Sequence, residues 1–175
     1  MKKILYIYGY GGSSKGNSFL TFKRLLPQYD VRCIDYNQTD CKIARKQLQE
    51  YIENEKIDLI ISSSLGAFIA LTLGNVPKVI VNPCIYPSVE LPTIEVPQHL
   101  IDTYKPFEDM VLSPDEATKM KTYGFFSTHD ELMGTKYVDA FKEVYPNIRF
   151  LENCGHRLTE EAISNEIIPL LPQLF

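Results

Sequence analysis

Ile60-Ile61-Ser62-Ser63-Ser64-Leu65-Gly66-Ala67 carries a β-rich apolar run straight into a helical one, with no room for an ordinary loop. The run that leads into it, Ile57 to Ile61, suits a strand buried on both faces. The stretch that follows, Leu65 to Leu73, is apolar on nearly every side and predicts a helix buried all round. A residue at such an elbow is forced into a strained backbone conformation that pushes its side chain clear of the sheet. Strand and helix cross closely there, so the positions two before and two after must be small. Ser62 and Gly66 meet that demand around Ser64. The pattern S-x-S-x-G is looser than G-x-S-x-G, and it draws its weight from the elements on either side.

Working outward, the same alternation repeats. Ile4 to Tyr8 is an apolar run closed by Gly9, and Asn17 to Leu26 predicts a helix stopped by Pro27. Val31 to Ile34 is a short strand. Asp40 can cap a helix to about Asn54, with Ala44, Leu48, Tyr51 and Ile52 on one face. Lys78 to Val81, Tyr123 to Ser127 and Ile148 to Leu151 read as further strands. Helices are expected over about Thr135 to Tyr145 and Thr159 to Ile168. Strands alternating with helices mean βαβ units. The expected fold class is therefore α/β: one domain over residues 1–175, built on a mostly parallel six-stranded sheet flanked by helices.

One region breaks the rhythm. Six of the eleven prolines lie from Pro83 to Pro114, among Tyr86, Leu91, Ile94, Tyr104, Phe107 and Met110. A connection that long is expected to be a lid or binding loop, here an insertion over about residues 83–121. An insertion packed on the surface is the plainer alternative.

Composition narrows the function. The 175 residues carry a net charge of −4 and are 45% apolar, which excludes disorder and argues against a nucleic-acid partner. No apolar run approaches the length of a membrane span. The opening Met1-Lys2-Lys3 imitates a signal peptide, but the apolar stretch stops at Gly9 and reads better as a strand. The cysteines at 33, 41, 84 and 154 form no C-x-x-C pair, so free thiols in a reducing cytoplasm are expected. His99, His129 and His156 have no close Cys or His partner, so no metal site is expected. Gly9 to Gly16 lacks both phosphate-loop spacings. Cys84 reads as a small buried hydrophobe rather than a nucleophile.

A nucleophilic serine needs a base and a carboxylate to orient it. Functional groups in such a sheet gather at the carboxyl ends of the strands. The fifth strand ends in Thr128-His129-Asp130-Glu131 and the sixth in Glu152-Asn153-Cys154-Gly155-His156. Asp130 and His156 are therefore expected at the same edge as Ser64, with Glu131 adjacent as the alternative acid. The first strand opens into Gly9-Tyr10-Gly11-Gly12. Backbone N–H groups of Tyr10 and Leu65 are candidates to hold an oxyanion.

Nearly end to end, these motifs resemble the small YqiA/YcfP-like esterase branch of the α/β-hydrolase superfamily. That branch opens with H-G-F-x-S-S, here Tyr8-Gly9-Tyr10-Gly11-Gly12-Ser13-Ser14. Its elbow is G-S-S-L-G-G, here Ser62-Ser63-Ser64-Leu65-Gly66-Ala67. Its N-P pair matches Asn82-Pro83, its G-D-E matches His129-Asp130-Glu131, and its final histidine matches Gly155-His156. The resemblance implies Ser64 as nucleophile, Asp130 as acid and His156 as base, in the chain order of that superfamily. It also implies a minimal single-domain α/β-hydrolase, on which the Pro-rich insertion, from its length alone, is expected to act as the lid. Tyr8, Ser62, Ala67 and His129 depart from the pattern without removing a triad member.

The expectation is a cytoplasmic serine hydrolase that cleaves a small carboxylic ester or thioester through an acyl-enzyme on Ser64, without a cofactor. Tyr86, Phe107 and His129 are expected to contact the substrate, and acyl chains of about two to six carbons to fit best. A non-catalytic binding module on the same fold, for a small molecule or a protein, is the alternative.

Overall fold

The computed structural model describes residues 1–175. Its six strands are β1 (Lys3–Ile7), β2 (Asp30–Arg32), β3 (Leu59–Ser63), β4 (Lys78–Val81), β5 (Thr122–Ser127) and β6 (Asn147–Leu151). They lie in the order β2-β1-β3-β4-β5-β6, and every pairing is parallel. Ile4, Leu5, Ile7, Leu59, Ile60 and Val79 are without exposure, as two covered faces require. The chain winds one way from β1 to β2 and the other way from β3 onward. The switch between β1 and β3 opens a crevice at their carboxyl ends, where ligands of such sheets bind.

The helices α1 (Asn17–Leu25), α2 (Cys41–Glu55) and α3 (Ser64–Leu71) cover the first half of the sheet. Asp40 caps α2 by accepting from the Ile43 N–H at 3.0 Å. The buried stripe of α2 is Cys41, Ala44, Leu48 and Ile52, with Tyr51 only half-buried. Every residue of α3 from Leu65 to Leu71 is buried, because the helix lies between α2 and the sheet.

The insertion is helical rather than irregular. It folds as α4 (Pro87–Glu90), a 3-10 turn over Leu91–Ile94, α5 (Gln98–Tyr104), a second 3-10 turn over Lys105–Phe107, α6 (Glu108–Leu112) and α7 (Glu116–Met120). Prolines open both 3-10 turns, where their missing N–H costs nothing. Ile101, Tyr104 and Val111 are at most 2% exposed, so the far part of the insertion belongs to the core.

After β5 the chain forms α8 (Val138–Val144), and after β6 a last helical run begins as α9 (Glu160–Ala162). That run passes through one π-helical segment, Ile163–Ile167, and tightens to 3-10 over Ile168–Gln173, with Pro169 in its first turn and Pro172 inside it. No helix is long and apolar enough to cross a membrane.

Candidate active site

The site is built at the crevice between β1 and β3. Ser64 follows the last residue of β3 with φ +54°, the left-handed conformation that a non-glycine residue adopts only at a cost. Gly66 makes the elbow possible. A Cβ there would sit 2.2 Å from the carbonyl oxygen of Tyr8 and 2.5 Å from that of Ile7. No side chain fits, so α3 rests directly on the backbone at the end of β1. Gly9 is less tightly confined on the other side, where a Cβ would come 3.0 Å from that of Ser64.

Two positions before the nucleophile candidate, Ser62 is fully buried, and its Oγ has no hydrogen-bond partner. The demand for a small residue is met there, with a stranded hydroxyl as the consequence.

Asp130 and His156 meet at the ends of β5 and β6. His156 Nδ1 lies 2.9 Å from Asp130 Oδ2 and 3.0 Å from Oδ1. A carboxylate only accepts, so Nδ1 carries the proton and Nε2 is left as the basic nitrogen. The Leu132 and Met133 N–H groups also donate to Asp130 Oδ1, at 2.9 and 2.8 Å. Burial pushes the Asp130 carboxyl upward, but the bonds from His156 and these amides outweigh it and hold it below its ordinary value. Neighbouring Glu131 has a different place. Its Oε2 accepts from the backbone N–H of His156 at 2.9 Å and never reaches the ring.

Asn82 completes the frame, and its signal in the sequence was only the Asn-Pro pair. Its backbone has φ +43°. Its Oδ1 accepts from the Ser127 N–H at 2.8 Å. Its Nδ2 donates to Ser127 Oγ at 2.9 Å and to the His156 carbonyl at 3.1 Å. One buried side chain thereby ties the end of β4 to β5 and to the histidine loop.

The turn after β1 is fixed by residues that sequence reading had passed over. Gln38 Oε1 accepts from the Gly11 N–H at 2.7 Å, and Gln38 Nε2 donates to the Gly12 carbonyl at 3.1 Å. The Gly12 N–H turns back to the Gly9 carbonyl at 3.0 Å. The N–H of Tyr10 is left without an acceptor in the protein. Tyr8, which stands where the resembling branch has histidine, donates its hydroxyl to Asp35 at 3.1 Å and stacks on Tyr36 at 4.8 Å between rings. Burial raises the Tyr8 phenol to about 12.

Ser64, Leu65, Tyr10 and His156 all line one cavity of about 570 Å³, within the range of small-molecule sites. Ser64 shares this space with His156 without being hydrogen-bonded to it, a looseness common before substrate arrives. Leu91, Ile94, Leu132 and Met133 form apolar wall, whereas Lys15, Ser18, Glu90 and Arg157 make the rest polar.

The three residues expected to contact substrate lie elsewhere. Tyr86 packs on Tyr137 with 5.4 Å between rings, and Phe107 lies under the Arg45 guanidinium at 4.6 Å. His129 is exposed, its ring held by Thr128 Oγ1 at 3.1 Å. Tyr104 is also absent from the cavity, since it is buried and donates to the Gln38 carbonyl at 2.5 Å. Only Cys84, Glu90, Leu91, Thr93 and Ile94 of the insertion reach the cavity. The aromatic residues were absorbed by packing because helices, unlike a loose lid, must bury a face of their own.

Comparison with known proteins agrees with this architecture. No family model matches the chain. The chain is homologous to a UPF0227 protein of Pectobacterium carotovorum subsp. carotovorum (strain PC1), of the YcfP/YqiA group. The two are 27% identical over 143 residues, covering 76% of this chain and 78% of that protein. Among solved structures, Est1E from Butyrivibrio proteoclasticus superposes with TM-score 0.81 at 11% identity, over 99% of this chain and 88% of that one. MGS-MChE2, an α/β hydrolase enzyme from a sediment metagenome of the Mar Chica lagoon in Morocco, gives 0.70 at 19% identity, over 99% and 90%. Alpha/beta hydrolase domain-containing protein 10 from mouse gives 0.72 at 13%, over 98% and 88%. The fold is that of the α/β hydrolases.

Proposed function

We propose that this protein is a serine hydrolase that cleaves a small carboxylic ester through an acyl-enzyme on Ser64. The observation that carries the reading is the His156–Asp130 pair, with Nδ1 at 2.9 Å from Oδ2, on the same cavity as a serine strained to φ +54°. In this reading Ser64 Oγ attacks the acyl carbonyl while His156 Nε2 takes its proton. Asp130 holds the tautomer and stabilises the imidazolium as it forms. The unengaged N–H of Tyr10, with that of Leu65 at the start of α3, receives the oxyanion, and each donor is worth about 3 kcal/mol of barrier. His156 then returns its proton to the leaving alcohol and activates the water that releases the acid. The 570 Å³ cavity and its short apolar wall favour small acyl groups over long chains.

A fluorophosphonate probe tests this directly. It should label the folded protein at Ser64 and leave a folded Ser64→Ala variant unmarked. Folded wild-type protein that resists labelling would overturn the reading.

A further inference from the structure

One charged group on the cavity wall has no part in the ester chemistry above. Glu90 ends α4 with its side chain only 4% exposed, yet it lines the cavity. Both of its partners take the same oxygen. Lys136 Nζ lies 2.6 Å from Oε1, and the Tyr137 hydroxyl donates to that atom as well. Oε2 has no hydrogen-bond partner. It is not sealed either, because Ser62 Oγ is the one fully buried side-chain oxygen or nitrogen left unpaired. Glu90 thus keeps a little surface, and it is one of the residues that line the cavity.

A carboxylate oxygen held away from bulk water calls for a donor. Lys136 already balances the charge, so the wall lacks a hydrogen and not a second cation. The neighbouring Leu91 and Ile94 offer nothing polar to a substrate beyond their backbone. Resting on the serine-hydrolase reading, the geometry points to Glu90 as a specificity-determining residue that selects esters bearing a neutral hydrogen-bond donor, a hydroxyl group, on the part that occupies this wall. An analogue without that hydroxyl leaves Oε2 unpaired in a shielded site, which is how enzymes discriminate most strongly against a missing donor.

Three small esters test it: ethyl butyrate, ethyl 3-hydroxybutyrate and 2-hydroxyethyl butyrate. In the wild-type protein one of the hydroxylated esters should exceed ethyl butyrate in kcat/KM by about tenfold or more, mainly through KM. In Glu90→Gln that ratio should fall about tenfold. Lys136→Met supplies a readout that a merely structural tie would not move. With the carboxylate unbalanced, preference should shift from whichever hydroxylated ester the wild type favours toward its amine counterpart, ethyl 3-aminobutyrate or 2-(dimethylamino)ethyl butyrate, and this variant serves if Glu90→Gln does not fold. Equal turnover of all three esters would overturn the role of Glu90 while leaving the hydrolase standing. An unchanged hydroxy-to-amino preference in a folded Lys136→Met variant would do the same. Absence of both turnover and fluorophosphonate labelling would overturn the hydrolase reading itself, and the role of Glu90 with it.

Discussion

Replacing Ser62 by alanine should make the protein more stable. Ser62 sits in β3 opposite Ile7 of β1 and Ile80 of β4, fully buried, with its hydroxyl bonded to nothing. A hydroxyl deprived of water without compensation costs roughly 1–3 kcal/mol in protein mutational series. Ser62→Ala deletes that one atom and keeps the backbone and Cβ. Against the relief stands the loss of one oxygen's dispersion contacts, a few at about 0.1–0.2 kcal/mol each. The net expectation is about 1 kcal/mol of added stability, or a Tm rise of about 2–4 °C for a chain of this length. Ser62→Gly removes the same hydroxyl but adds the entropic cost of glycine in a strand, about 0.5–1 kcal/mol, so it should fall near the wild type. Thermal unfolding followed by circular dichroism checks the ranking. A Tm for Ser62→Ala more than 2 °C below the wild type would mean that the hydroxyl is satisfied in solution, and the reasoning would be refuted.

Ser64→Ala and His156→Ala should each lower ester turnover by at least ~10³-fold with the fold intact, since triad members act as a unit. Asp130→Asn should cost far more activity than Glu131→Gln, because only Asp130 touches the ring; steady-state kinetics on a nitrophenyl ester decide both. Asn82→Asp should lower kcat about 10²-fold by setting carboxylate oxygens against the His156 carbonyl and shifting the histidine loop, and an unaltered kcat would remove Asn82 from the positioning frame. Lys78 is buried in β4 with its Nζ on the carbonyls of Gly74 and Val76 at 3.0 and 2.9 Å, and burial pulls its pKa down to about 8. Between about pH 8 and the unfolded value near 10.4, the unfolded chain binds the extra proton, so wild-type stability should rise with pH across that window. Lys78→Met should lack that rise, and parallel urea titrations at pH 7 and pH 10 that show the same gap between the two proteins would contradict the assignment.

The sheet was legible because its strands are short, apolar and β-branched, a pattern that only burial on two faces explains. Ile4 to Ile7, Leu59 to Ile61 and Val79 to Val81 spell it out residue by residue. The elbow was legible for a steric reason: Gly66 admits no Cβ, and a constraint that tight leaves a mark in sequence. Asp130 and His156 could be placed at one edge because a parallel sheet gathers the ends of its strands. The insertion could not be read that way. Its helices are four to seven residues long, too short for a periodic pattern to emerge, and its prolines sit at helix starts where they look like breakers. Tyr86, Tyr104 and Phe107 suggested a binding wall, since an aromatic residue advertises burial without saying against what. Gln38 and Glu90 left no signal, because their roles arise from contacts between segments far apart in the chain.

The division of the insertion into a short stretch at the cavity and a longer one in the core has a practical consequence for redesign. Variation aimed at new substrates belongs at Thr93, Ile94, Leu132 and Met133, which line the chamber without being buried in the scaffold. The buried residues within 98–120 allow no such freedom. Excising that stretch would not produce an open, lidless catalyst. It would strip away Ile101, Tyr104 and Val111, along with the anchor that Tyr104 gives the Gln38 backbone. Since Gln38 in turn holds the glycine turn after β1, damage done more than sixty residues away would surface beside the unengaged N–H of Tyr10.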